Sequence, residues 1–197
     1  MPIPKIYFSS VIFLSEISIQ CDLYLLAYEK LEKASEHWIA ISKSINDGNK
    51  FSPLSIISEA TVCLSAMSAI NRLLYSSKTS DSKKRCNELQ NLLGDIALPN
   101  ITSKMVRNSW EHHDERIDKE LKNINEPFSL SFIHVSVQPP PDKTLVLKRF
   151  NPIEMTISFL SDSIQLTHCK NEVSELKSSI NTAFNLLNNI HIEAPNK

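Results

Sequence analysis

The sequence predicts a mainly α protein: an antiparallel helical bundle with a small antiparallel β appendage and a C-terminal helix packing on the bundle. Three observations predict it. Apolar residues recur every three or four positions through most of the first 125 residues, the period drops to two after Pro127, and the longer period returns from about Cys169. The switch of period places the boundary between a bundle over residues 1–126 and a segment 127–197 that carries the strands and the last helix.

The first helix is expected from about Ser10 to Asn46, on the stripe Leu14, Ile17, Cys21, Tyr24, Tyr28, Leu31, Trp38, Ile41 and Ile45. Asn46-Asp47-Gly48 ends it. Ser52-Pro53 is a start signal, and the segment to about Tyr75 is apolar on most sides, which predicts the central helix of the bundle. Asp81 is a candidate cap for a third helix with Cys86, Leu89, Leu92 and Leu93 on one stripe and Gly94 just past its end. Asn100 or Thr102 then caps a fourth helix to about Asn123, with Val106, Trp110, His113, Ile117, Leu121 and Ile124 in line. Beyond it Phe128, Leu130 and Phe132 alternate with serines, and Leu145-Val146-Leu147 and Met155 to Leu160 are β-prone. Pro139-Pro140-Pro141-Asp142 reads as a linker, and Asn151-Pro152 and Ser161-Asp162-Ser163 as turns. Val173, Leu176, Ile180, Phe184 and Leu187 predict a final helix from Cys169 to Ile190.

Composition narrows the function. At 197 residues, with 42% hydrophobic and 22% charged residues, the chain has the make-up of one large globular domain and not of a disordered one. Its net charge of -1 creates no global field toward nucleic acid or an anionic membrane, so a polyanion site must be local. Gly48 and Gly94 are its two glycines, which excludes phosphate-cradling glycine-rich loops. Cys21, Cys63, Cys86 and Cys169 show no paired short spacing, which argues against zinc ribbons and disulfide frameworks and fits a reduced cytoplasm. Ile6 to Leu14 is apolar, but Ser9, Ser10 and Glu16 break the pattern of a signal peptide, and no run reaches the ~18 uninterrupted apolar residues of a membrane span. The expectation is a cytoplasmic protein with no membrane partner and no cofactor.

The densest polar segment is Arg107-Asn108-Ser109-Trp110-Glu111-His112-His113-Asp114-Glu115-Arg116. On a continuous helix at about 100° per residue, Arg107 at zero puts Glu111 near 40°, Asn108 near 100° and His112 near 140° on a polar arc. His113 falls at about 240°, on the rim of the apolar stripe, and is expected at the edge of the core. By spacing alone the polar arc reads first as the solvated face of a helix.

The run Arg107-Asn108, Glu111-His112-His113-Asp114-Glu115-Arg116-Ile117-Asp118 resembles the Arg-Asn-x-x-Glu-His-aromatic-Asp-Glu-Arg segment of bacterial HEPN-like proteins, the higher eukaryotes and prokaryotes nucleotide-binding superfamily. Ser58-Glu59-Ala60, Ser68-Ala69 and Leu73-Leu74 resemble the second-helix pattern of that group, so the likeness covers about residues 10–125. It implies a homodimer in which paired motifs line one cleft and cleave RNA without metal, with Arg107 and His112 catalytic and Asn108 and Glu111 in binding or positioning roles. It also implies an effector of a toxin or anti-phage kind, whose toxin form would have an antitoxin protein as partner, or else a non-catalytic interaction or nucleotide-binding module on the same fold. Asp114 stands where some toxin members carry a modifiable tyrosine, and His113 replaces the usual aromatic.

Other chemistries lack their residues. Neither Glu36 nor Glu111 has a histidine three residues later, as a helix-bundle di-iron site needs, and His112 with Glu115 lacks a third metal ligand. Cys169 follows His168, but neighbours on a helix point apart, which disfavours a thiol nucleophile.

Overall fold

A computed structural model describes residues 5–45, 52–75, 78–103, 112–124 and 126–193. Among them are five helices and four strands: α1 (Lys5–Ser42), α2 (Pro53–Tyr75), α3 (Ser80–Leu93), α4 (His113–Asn123), β1 (Ser129–Val135), β2 (Thr144–Asn151), β3 (Thr156–Phe159), β4 (Asp162–Gln165) and α5 (Leu166–Glu193).

The core forms between α1, α2 and α5, with α3 closing one side. Leu14, Ile17, Cys21, Tyr24, Tyr28 and Leu31 of α1 are buried against Ile56, Cys63 and Ile70 of α2 and Cys169, Val173, Leu176 and Ile180 of α5 in one continuous cluster. That cluster draws on both sides of residue 126. The expected α1 stripe is correct to Leu31 and fails beyond it: Ile41 and Ile45 are exposed and Trp38 is half-buried, because the end of α1 outruns the helices it packs on. A second apolar line on α1, Ile12, Ile19, Leu23 and Leu26, faces outward. Both α1 and α2 are therefore apolar enough and long enough to cross a bilayer, which a count of uninterrupted apolar residues does not reveal, although the core helix of a soluble protein has the same length and composition.

The cap of α3 is Thr79, two residues before the expected Asp81. Its hydroxyl accepts from the Ser82 amide while the Ser82 hydroxyl accepts from the Thr79 amide, a reciprocal box that satisfies two otherwise orphaned donors. Gly94 ends the helix at φ 76°, where a side chain would be strained. The fourth member of the bundle is α5 and not α4. No described residue of α4 is buried; the helix is tied to the sheet by the Arg116–Asp162 ion pair and by a T-shaped contact between the His113 and Phe159 rings.

The sheet has the order β1-β2-β3-β4 and is mixed, which corrects the expected antiparallel appendage. β2, β3 and β4 form an antiparallel meander, but β1 lies parallel to β2, with Leu130 beside Leu145 and His134 beside Arg149. Parallel neighbours usually need a long crossover. Here residues 136–143 suffice, because proline-rich extended chain advances about 3.1 Å per residue and eight residues match the ~23 Å length of a seven-residue strand. Ser161-Asp162-Ser163 is not a turn: the reversal is at Leu160-Ser161, with Leu160 at φ 51°, and Asp162 already pairs with Phe159. One sheet face, with Phe150, Ile157, Phe159 and Ile164, is buried toward the helices. The Pro139–Pro141 connection crosses the other face, where Arg149 donates to the Gln138 carbonyl.

Tyr24 joins these layers. Its hydroxyl, fully buried, donates to the Leu166 carbonyl at the junction of β4 and α5 at 2.7 Å, and one turn on the Tyr28 hydroxyl meets the Thr167 hydroxyl at 2.8 Å. Tyr24→Phe should cost about 1 kcal/mol in chemical denaturation, the ordinary net worth of one buried hydrogen bond.

Burial pushes the Cys21, Cys63 and Cys169 thiols from the usual 9 up to about 12. Since the fold favours the neutral thiols, their contribution is fully present below pH 9 and is lost between pH 9 and about 12, as thiols of the unfolded chain ionise first. Denaturation midpoints should fall through that window, and Ala replacements at these cysteines should flatten the fall.

Candidate functional site

The site residues divide at the boundary of the described structure. Arg107, Asn108 and Glu111 lie outside the described residues, and His112 lies inside. His112 is exposed and stands at the N-cap of α4 with φ -115° and ψ 42°; its side chain makes no capping hydrogen bond, and its carbonyl accepts from the Arg116 amide at 3.3 Å. These dihedrals are not helical, so the helix that begins at His113 does not run back through His112. The single wheel that related Arg107 to His112 and His113 therefore does not hold at this point. His113, expected at the edge of the core, is exposed, and its ring stands roughly perpendicular to that of the buried Phe159.

The start of α4 is chemically consistent with its sequence. Asp114 and Glu115 occupy its first turn, where carboxylates complement the positive end of the helix dipole, and Lys122 occupies its last. An exposed imidazole at such an end is open to a ligand arriving from solvent.

Upstream, the chain enters the candidate segment through a turn at residues 98–103 held by a carboxylate that sequence inspection did not single out. Glu172 of α5 is 7% exposed. It accepts from the Asn100 amide at 2.9 Å, from the Asn100 side chain, and from the Ile101 amide at 3.0 Å. Leu98 and Ile101 are buried on either side of that clamp, and Thr102 donates to the Leu98 carbonyl at 2.8 Å. Asn100 and Thr102, read from sequence as helix caps, thus belong to a turn anchored on α5. A signal was present in the sequence: Glu172 sits beside Val173 and one turn from Cys169 and Leu176, so a charge falls next to the apolar line of an otherwise regular helix.

Cys169 is buried with its thiol pushed up to about 12, chiefly by desolvation, the opposite of what a nucleophilic cysteine requires. Among the described residues no group of three His, Cys, Asp or Glu is placed to hold a metal ion.

Breaking the two anchors should have separable effects. Glu172→Ala strands the buried Ile101 amide and the half-buried Asn100 amide and should cost about 2–4 kcal/mol in global stability, with amide exchange at both among the first to rise. Asp162→Ala should raise exchange across residues 113–123 while shifting global stability by no more than about 1 kcal/mol. Equal global losses in the two variants would show that α4 is part of the cooperative core.

Comparison with family models, with curated proteins and with solved structures finds no match to this chain.

Proposed function

We propose that this chain is an HEPN-like, metal-independent RNA endonuclease that works as a homodimer, an effector of a toxin or anti-phage kind. The observation that carries the reading is the Arg107-Asn108, Glu111-His112 segment running directly into a helix whose N-terminal end presents His112 to solvent. The His112 imidazole would take the proton of a ribose 2′-hydroxyl as its oxygen attacks the adjacent phosphorus. Arg107 would offset the charge that develops on the non-bridging oxygens, Asn108 would orient the phosphate, and Glu111 would hold Arg107. The bond to the 5′-oxygen breaks, that oxygen receives a proton, and a cyclic 2′,3′-phosphate remains. A second copy supplies the facing wall of the cleft, and for a toxin an antitoxin protein would be a further partner. Four free cysteines, all buried, are compatible with a reducing cytoplasm.

One observation favours a non-catalytic interaction or nucleotide-binding module instead. RNA binding draws on a basic surface, and the net charge here is -1. Cleavage assays separate the two.

Purified protein should cut single-stranded RNA to cyclic-phosphate ends, and His112→Ala should abolish the cut while leaving stability within about 0.5 kcal/mol. His113→Ala, at an exposed position, should keep most activity. Cleavage should persist in EDTA, and light scattering at micromolar concentration should give the mass of a dimer. Loss of activity on chelation, restored by a divalent ion, would overturn the mechanism; an inert wild-type protein would leave the interaction module as the function.

A further inference from the structure

The sheet face turned away from the helices carries a feature that the candidate site does not use. The register puts His134, Arg149, Ser158 and Ser163 side by side across the four strands on that face. Arg149 lines an open groove of about 390 Å³ together with Leu145, Ser158 and Ser163, roofed on one side by Pro140 of the crossing connection. Glu120 of α4 also lines it.

Two nitrogens of the register partners His134 and Arg149, of which only Arg149 lines the groove, lack a partner among the described residues. Arg149 Nε and His134 Nε2 are both buried and have no hydrogen-bond partner, and the Arg149 guanidinium makes one hydrogen bond, from Nη2 to the Gln138 carbonyl at 3.0 Å. No carboxylate pairs with Arg149 among the described residues. A guanidinium that lines a groove with one main-chain acceptor and no carboxylate partner keeps donors available to an anion from outside the chain. The adjacent serine hydroxyls add donors. A guanidinium with surrounding hydroxyls at the floor of a groove matches the tetrahedral oxygens of a phosphate, which guanidinium binds in bidentate fashion.

We propose that this groove is a phosphate-binding site centred on Arg149, and that its occupant is a backbone phosphate of single-stranded RNA. It rests on the ribonuclease reading only for the source of the phosphate; the groove-lining guanidinium without a carboxylate partner stands without it. The site answers two features together. It supplies a local cationic contact on a protein of near-neutral charge, and it gives the sheet a task beyond packing. Glu120 sets an upper limit on affinity, because its carboxylate opposes any anion in the groove.

The test uses the full chain, inorganic phosphate, and a fluorescent single-stranded 2′-O-methyl oligoribonucleotide, which keeps its phosphates but cannot be cut by 2′-oxygen attack. Both ligands should shift the Arg149 Nε–H resonance of the wild-type protein. Arg149→Gln should weaken oligonucleotide binding at least about tenfold at low salt and reduce its salt dependence by roughly one phosphate contact, and Glu120→Gln should tighten it. Should Arg149→Gln fail to fold, the wild-type resonance and Arg149→Lys, with binding between the two, decide the matter. An unmoved resonance, or equal binding by a folded Arg149→Gln, overturns the site. A response to inorganic phosphate without one to the oligonucleotide overturns its assignment to RNA. Arg149-dependent binding in a protein that cleaves no RNA upholds the groove and removes the nuclease; cleavage with unchanged KM in Arg149→Gln does the reverse.

Discussion

The buried hydroxyl of Tyr24 is the point on which the layers depend. A phenol in the centre of an apolar cluster is tolerable only with an acceptor, and the acceptor is a main-chain carbonyl where β4 turns directly into α5. That one bond fixes where α5 begins relative to α1. The pairing of Tyr28 with Thr167 and of Lys170 with Glu32, with the Lys170 ammonium also over the Tyr28 ring, continues the same seam along the next turn. Once α5 is seated, Glu172 comes to face the 98–103 turn and β4 is held against the end of the bundle. The position of the segment that leads toward Arg107 is thus a downstream result of how a tyrosine on the first helix is satisfied.

Much of the architecture was legible because it rests on periodicity. The limits of α2, the end of α3 at Gly94 and the buried face of α5 follow from patterns that need no knowledge of partners. What was not legible depends on contacts distant in sequence. The amphipathic pattern of residues 113–123 says that a helix forms there, but nothing local says that it leans on a sheet edge through Arg116 and Asp162 and not on the bundle. The parallel placement of β1 hides for a related reason: a proline run between two strand patterns looks like a hairpin linker, and only its length compared with the strand reveals that it can carry the chain back over the sheet. Leu160 at the β3–β4 reversal escapes notice because a leucine at positive φ carries no turn signature.

For the candidate site the division is sharper. Sequence singles out Arg107, Asn108, Glu111 and His112 by likeness, and the structure adds what surrounds the segment: an anchored turn before it and a tethered helix after it. Glu172 and Arg149 were overlooked because a lone charge in a regular helix or strand is usually solvated. Their significance lies in burial and in what is or is not bonded to them, which only the assembled fold shows.

The parallel pairing of β1 with β2 has a mechanical consequence. Among the described residues, α1, α2, α3, the 98–101 turn, the three-stranded meander and α5 supply every buried apolar side chain, while α4 supplies none and β1 adds only the flanks of Ile133 and Val135. The described part that carries the histidine pair, α4 with β1, is therefore a bracket on the sheet, bolted by the Arg116–Asp162 pair and by the pairing of an edge strand. Force on a bracket of this kind can change its angle without passing into the frame. A fold so built keeps the stability of its interior and the placement of α4 as two independent quantities, free to be altered separately.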